Sequence, residues 1–203
     1  MTAIAPTRRT LLAAAATLAA APAWAQTPSR TRVTLLTEKG AILVELADDK
    51  APITVANFLH YVDSHHMDGA AAFYRAARAP GAPTIGLIEA GVRDVRKVFP
   101  PIAHESTLVT GLRHLDGTLS MARFAPGTAT SDFSICCGDA SYLNAHPEAP
   151  GDNAGYAAFG QVIDGMDVAR AILALPTAAA ADNPAMAGQM LDPPVKILTA
   201  RRV

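Results

Sequence analysis

Net charge is nearly absent from this chain of 203 residues: 17 lysines and arginines meet 18 aspartates and glutamates, a formal balance of -1. That leaves no electrostatic footprint for nucleic acid or for an anionic lipid surface. Long hydrophobic runs are missing as well. The alanine- and leucine-rich stretch from Leu11 to Ala21 is about eleven residues, short of the ~20 needed to span a bilayer. There is no internal repeat and no heptad run.

Cysteine is scarce, with only Cys136 and Cys137. Neighbours in a strand point to opposite faces, and their Cα atoms lie about 3.8 Å apart, below the usual disulfide range. The pair reads as two unpaired thiols, at least one buried, with a strained vicinal or an intermolecular disulfide as the alternative. Metal-ligand spacing is lacking too. His65 and His66 end a helix, where adjacent residues point about 100° apart and cannot chelate one ion as an i, i+4 pair does. His60, His104, His114 and His146 are scattered. No Gly-x-Ser-x-Gly elbow exists, and Ser120 sits in an apolar strand where its hydroxyl bonds locally. With no glycine-rich phosphate loop either, no cofactor and no metal are expected.

What the amino terminus does carry is Arg8-Arg9, the Leu11 to Ala21 run and then Ala23-Trp24-Ala25, a small-x-small cleavage pattern. Residues 1–25 read as an export signal whose removal leaves Gln26 first. Thr7-Arg8-Arg9-Thr10-Leu11-Leu12 has the twin-arginine form, an ordinary secretory signal being the alternative. Cleavage removes two arginines, so 15 basic residues face 18 acidic ones, a net of -3. The expectation is an exported, periplasmic, monomeric protein that makes no membrane contact after cleavage. Residues 26–203 suit one domain.

Along that domain, Val33, Leu35 and Thr37, then Ile42, Val44 and Leu46, alternate around Glu38-Lys39-Gly40, which predicts a hairpin. Pro52 opens a helix to about residue 64, with Val55, Phe58, Leu59 and Val62 at helical spacing. Short strands are predicted at 72–78, 84–90, 117–123, 132–137 and 157–163, and a second helix at 166–175 with Ala169, Ile172 and Leu175 inward. Residues 176–192 read as a loose alanine- and proline-rich connection. The closing run 195–203 alternates again and suits pairing with the first strand. Many short strands with two helices argue for a closed β-barrel.

The remaining candidate for chemistry is Arg75, in Phe73-Tyr74-Arg75. Spacing alone makes it an arginine on a solvated face. Its context is more informative: Gly117-Thr118-Leu119-Ser120-Met121-Ala122-Arg123, Ser131-Asp132-Phe133-Ser134-Ile135 and Ala157-Ala158-Phe159-Gly160-Gln161 follow in order. Together with Thr37-Glu38-Lys39-Gly40 and Ala51-Pro52-Ile53-Thr54-Val55-Ala56-Asn57-Phe58, they give the chain a pattern that resembles the cyclophilin family of peptidyl-prolyl cis-trans isomerases.

The resemblance implies a mainly β fold, a closed antiparallel eight-stranded barrel capped by two α-helices, with a peptide groove on its outer face. It implies proline-containing polypeptides as substrates and Arg75 as the catalytic group, with Glu89 beside it where the family has glutamine. Phe73, Tyr74, Leu87, Met121, Ala122, Arg123, Phe124, Ser134, Tyr142, Leu143 and Tyr156 would line the groove, the main chain near Ala122 and Arg123 holding the substrate backbone. Two aromatic walls are replaced: Gly86-Leu87-Ile88-Glu89 stands where the family has Phe-Met-x-Gln, and Phe133-Ser134-Ile135 where it has Phe-Phe-Ile. Phe124 is the expected substitute wall. A barrel that binds peptide without catalysis is the competing expectation, and a scaffold that uses residues 176–194 is a third.

Overall fold

The structure, a computed structural model, describes Met1 and residues 30–203. Apart from Met1, the expected export signal, residues 1–25, lies outside the described residues. Eight strands close into one antiparallel barrel: β1 (Arg32–Thr37), β2 (Gly40–Leu46), β3 (Ala71–Ala79), β4 (Ala82–Val92), β5 (Thr118–Met121), β6 (Phe133–Cys137), β7 (Ala157–Asp164) and β8 (Met190–Arg202). Their order around the barrel is β1-β2-β7-β5-β6-β4-β3-β8. The alternation read in the sequence sets the inside: Val33, Leu35, Ile42, Val44 and Leu46 are fully buried.

Helix α1 (Pro52–Asp63) closes one end and buries Val55, Phe58, Leu59 and Val62. Phe58 meets Phe133 edge-on at 5.3 Å and Phe159 at 5.4 Å, an aromatic cluster in the barrel core. Its N-cap, Ala51, has no side chain to offer, and Glu105 substitutes from a distance, accepting from the amides of Ile53 at 3.1 Å and Thr54 at 2.7 Å. Helix α3 (Met166–Leu173) packs Ala169 and Ile172 inward and ends two residues earlier than expected, though Leu175 still packs on the core.

Two expectations are corrected. A third helix, α2 (Thr107–Thr110), is a single turn capped by the Ser106 side chain and stopped by Gly111 at φ 69°, too short to show a period in sequence. The last strand begins at Met190, inside the stretch read as loose, because β8 continues through Pro193 and Pro194 with a bulge opposite β3. Cys136 and Cys137 are both free and buried on opposite faces, Cys137 in the barrel core and Cys136 in an outer cluster with Leu87, Ala140 and Leu143. Burial pushes their thiols up to about 12 and about 11, so neither ionises at neutral pH. No helix among the described residues is long and apolar enough to cross a membrane.

Candidate functional site

A bulge in β3 creates the site. Phe73 and Ala76 both face the core, and the register slips between Phe73 and Arg75 against β4 and β8 alike, so Tyr74 and Arg75 turn outward in succession. Arg75 stands opposite Glu89 of β4. Its Nη1 donates to Glu89 Oε2 at 2.7 Å and its Nε to Gln189 Oε1 at 2.8 Å. A guanidinium has five N–H groups. Three of those on Arg75 therefore stay uncommitted among the described residues.

Arg75 and Glu89 line a cavity of about 270 Å³ with Leu87, Ala122, Arg123, Ser134, Tyr142, Leu143 and Tyr156. Ala77, Ser120 and Met186 complete it. Its apolar floor is Leu87 and Leu143, which belong to the outer cluster with Cys136 and Ala140 against which Ala77 and Tyr156 pack. An adjoining cavity of about 120 Å³ is lined by Tyr74, Phe124, Thr128, Thr130 and Asp132, and shares Glu89, Ala122, Arg123 and Met186 with the first.

Polar groups knit the two cavities together. The Tyr74 hydroxyl lies 2.7 Å from Glu89 Oε1 and 3.0 Å from Asp132 Oδ2, and its single hydrogen serves one carboxylate at a time. Burial, then the facing carboxylates, hold this hydroxyl far above its ordinary range, so it stays a donor. Arg93 lies 4.2 Å over the Tyr74 ring and reaches Asp132 at 3.4 Å. Gly91 makes room for Asp132, since a Cβ there would stand 1.7 Å from Oδ1.

Arg123 is placed at the site but is not a free cation. Only 3% of its side chain is exposed. Its five N–H groups are spent on the carbonyls of Gly155 and Phe124 and on both oxygens of Asp152. It thus ties the end of β5 to the loop before β7. The Arg123 amide and the Ala122 carbonyl have no partner among the described residues, which suits them to hold an extended main chain.

From the cavity lining, Ser120 contacts the buried His114 Nε2 at 2.9 Å, and His114 Nδ1 contacts Asn144 Oδ1 at 2.8 Å. Because that Oδ1 also accepts the His114 amide, Nδ1 carries the imidazole proton and Nε2 accepts from Ser120. Burial lowers the His114 pKa and keeps the ring neutral.

Three of the expected lining residues are not where the sequence pattern put them. Phe73 and Met121 point into the barrel core, because alternation along β3 and β5 turns them inward. Phe124 is 87% exposed and borders only the smaller cavity, so it is not the substitute wall of the larger one. Met186 and Gln189, from the stretch read as a loose connection, were missed; an exposed turn gives no periodic signal. Asp132 was missed as well, its only sign being its place beside Phe133 and Ser134.

Residues 32–201 match the family model for cyclophilin type peptidyl-prolyl cis-trans isomerase. The chain belongs to the cyclophilin family. This cyclophilin is 40% identical over 149 residues to peptidyl-prolyl cis-trans isomerase A of Dickeya dadantii, the match covering 73% of each chain. It is 37% identical over 137 residues to peptidyl-prolyl cis-trans isomerase B of Escherichia coli, covering 67% of this chain and 80% of that one. Among solved structures, a Cryptosporidium parvum cyclophilin type isomerase superposes with a TM-score of 0.65 at 19% identity, over 86% of this chain and 98% of its own. The same protein in the presence of the dipeptide Ala-Pro gives 0.64 at 19% identity, over 83% and 96%.

Proposed function

We propose that this cyclophilin isomerises Xaa-Pro bonds in extended polypeptide segments through Arg75, with Glu89 orienting the guanidinium. The supporting observation is the state of Arg75: held at Nε and Nη1 by Gln189 and Glu89, with three N–H groups left over, at the wall of a cavity floored by Leu87 and Leu143.

The reaction is rotation about an amide whose barrier is about 18–20 kcal/mol. A turnover of roughly 10–1,000 per second asks for about 4–7 kcal/mol of transition-state stabilisation and no covalent step. Twisting removes amide conjugation and leaves a lone pair on the prolyl nitrogen. A fixed arginine N–H is accepted there and has no equivalent acceptor in the planar ground state, which is differential binding. Glu89 takes a single N–H, so it anchors one arm of the fork without exhausting it. Against the family's pattern the pocket is altered: Gly86 and Ser134 stand at two positions where phenylalanine is usual, while Tyr142, Tyr156 and Met186 are large side chains in the cavity lining.

The protein is read as exported, with residues 1–25 as its signal and 26–203 as one monomeric domain. Support comes from Arg8-Arg9, the apolar run and Ala23-Trp24-Ala25. Amino-terminal sequencing of the secreted form is expected to begin at Gln26.

The activity is tested by a prolyl isomerisation assay on a short Xaa-Pro peptide, with Arg75→Ala beside the unsubstituted protein and circular dichroism to check folding. Acceleration that disappears in a folded Arg75→Ala variant is expected. Equal acceleration by both proteins would remove Arg75 from the mechanism. Peptide binding without any acceleration would leave a non-catalytic binding module.

A further inference from the structure

Between α3 and β8 the chain runs through sixteen residues, Ala174 to Gln189, and most of that stretch is exposed. At its tip Asp182, Asn183, Pro184 and Ala185 face solvent, as do Ala187 and Gly188, while Met186 and Gln189 turn inward. The tip is a built turn. Asn183 caps it through the Ala185 amide, and the amides of Met186, Ala187 and Gln189 each bond the carbonyl three residues earlier, at 2.9, 3.1 and 3.0 Å. It is also fastened to the barrel beside the proposed catalytic residue. Gln189 O accepts from the Ala76 amide at 2.8 Å, and Met190 pairs with Arg75.

We infer that this turn, Asn183 to Gln189, is a wall of the substrate groove, in which Met186 touches the bound proline-containing segment and Gln189 positions Arg75. The inference rests on the isomerase reading above and extends it to residues outside the motifs that carry the family resemblance. Met186 lines both cavities, so it stands at their boundary with Glu89, Ala122 and Arg123. A peptide whose proline occupies the larger cavity passes Met186 on the way to the smaller one. An unbranched thioether adapts its shape to different neighbours, which suits a wall that must accept several residues next to proline. It also supplies apolar surface to the cavity that Ser134 lines with a hydroxyl.

Gln189 acts through Arg75. A guanidinium held at Nη1 alone can swing about that contact; a second acceptor at Nε fixes its plane. The remaining N–H groups then keep one direction, which is where pre-organisation enters the rate.

The test uses the full chain, with Met186→Ala, Met186→Leu, Gln189→Ala and Gln189→Glu, the peptide Ala-Ala-Pro-Phe as probe, and Arg75→Ala as the control for the isomerase reading. Met186→Ala is expected to raise KM about threefold to tenfold with kcat little changed, and Met186→Leu to restore it. Gln189→Ala is expected to lower kcat about threefold to tenfold at nearly constant KM, and Gln189→Glu, which keeps an acceptor at Nε, to recover most of it. Wild-type KM and kcat in both alanine variants, beside a dead Arg75→Ala, would overturn this inference and leave the isomerase reading intact. If the unsubstituted protein accelerates nothing, the isomerase reading fails and peptide affinity decides: a threefold or greater loss in Met186→Ala supports the wall, and an unchanged affinity, or no binding at all, rejects it. As a readout that needs no folded variant, the Met186 methyl resonance is expected to shift on adding the peptide to the unsubstituted protein. A methyl that does not move would sink the proposed contact.

Discussion

Arg75 and Glu89 face each other across the β3–β4 ladder and form a 2.7 Å ion pair in the wall of the larger cavity, with Glu89 buried and the Arg75 side chain 20% exposed. Glu89 also meets the Tyr74 hydroxyl, so both of its oxygens have partners. Removing it strands a largely buried cation and frees its fork. Glu89→Ala is expected to destabilise the fold by about 2–4 kcal/mol and to lower kcat more than it raises KM. Glu89→Gln, which keeps an acceptor toward Arg75, should retain more of both. Denaturant titration and steady-state kinetics of the two variants check this; equal kcat in all three proteins would deny Glu89 its orienting part.

Gly86 cannot be exchanged for a larger residue. Its φ is +154°, and a Cβ there would lie 2.0 Å from the Ala77 carbonyl oxygen. Gly86→Ala must push the β3–β4 hairpin apart and is expected to cost about 2 kcal/mol or more. Gly86→Phe should therefore fail to restore an aromatic wall and should unfold at lower temperature still, as a thermal melt will read.

Arg123 has every guanidinium N–H committed, and its work is to join two loops at the rim of the groove. Arg123→Lys keeps the charge but not the five-donor fork, so it should behave nearly as badly as Arg123→Ala. Both variants are expected to lower the melting temperature and raise KM for peptide about tenfold by loosening the Ala122 main chain. Wild-type KM in Arg123→Lys would show that charge alone suffices.

His114 makes stability depend on pH. Its folded pKa lies below its ordinary value of 6.5, because burial disfavours the charged ring. Between the folded and unfolded values the unfolded chain binds more protons. The contribution is therefore complete above about pH 6.5 and is lost as pH falls through that value toward the folded pKa. Urea midpoints measured from pH 7.5 downward should fall in the original protein, and fall less steeply in His114→Gln. Parallel slopes in the two proteins would assign the acid sensitivity to other groups.

The period of the chain is enough to draw the barrel. Val33, Leu35, Ile42, Val44 and Leu46 alternate, and Val55, Phe58, Leu59 and Val62 recur at helical spacing; burial of one face is a local consequence of side-chain direction. The same local logic assigns Cys136 and Cys137 to opposite faces; it is the resemblance to the family, not the period, that joins Arg75 to Leu87, Ser134 and Leu143. Contacts between residues far apart in the chain have no such signature. Glu105 capping α1, Asp132 reaching Tyr74 across a space that Gly91 leaves open, and Gln189 arriving at Arg75 from 114 residues away are all products of closure. The bulge that turns Tyr74 and Arg75 outward together belongs to this second class: it is a slip in register between strands, and one strand read alone carries no record of its partner. Sequence alone thus determined which faces are apolar and which family pattern the chain follows. Only the tertiary structure decided that Phe73, Met121 and Phe124 leave the larger cavity to Met186, because that depends on which distant segments the closed barrel brings side by side.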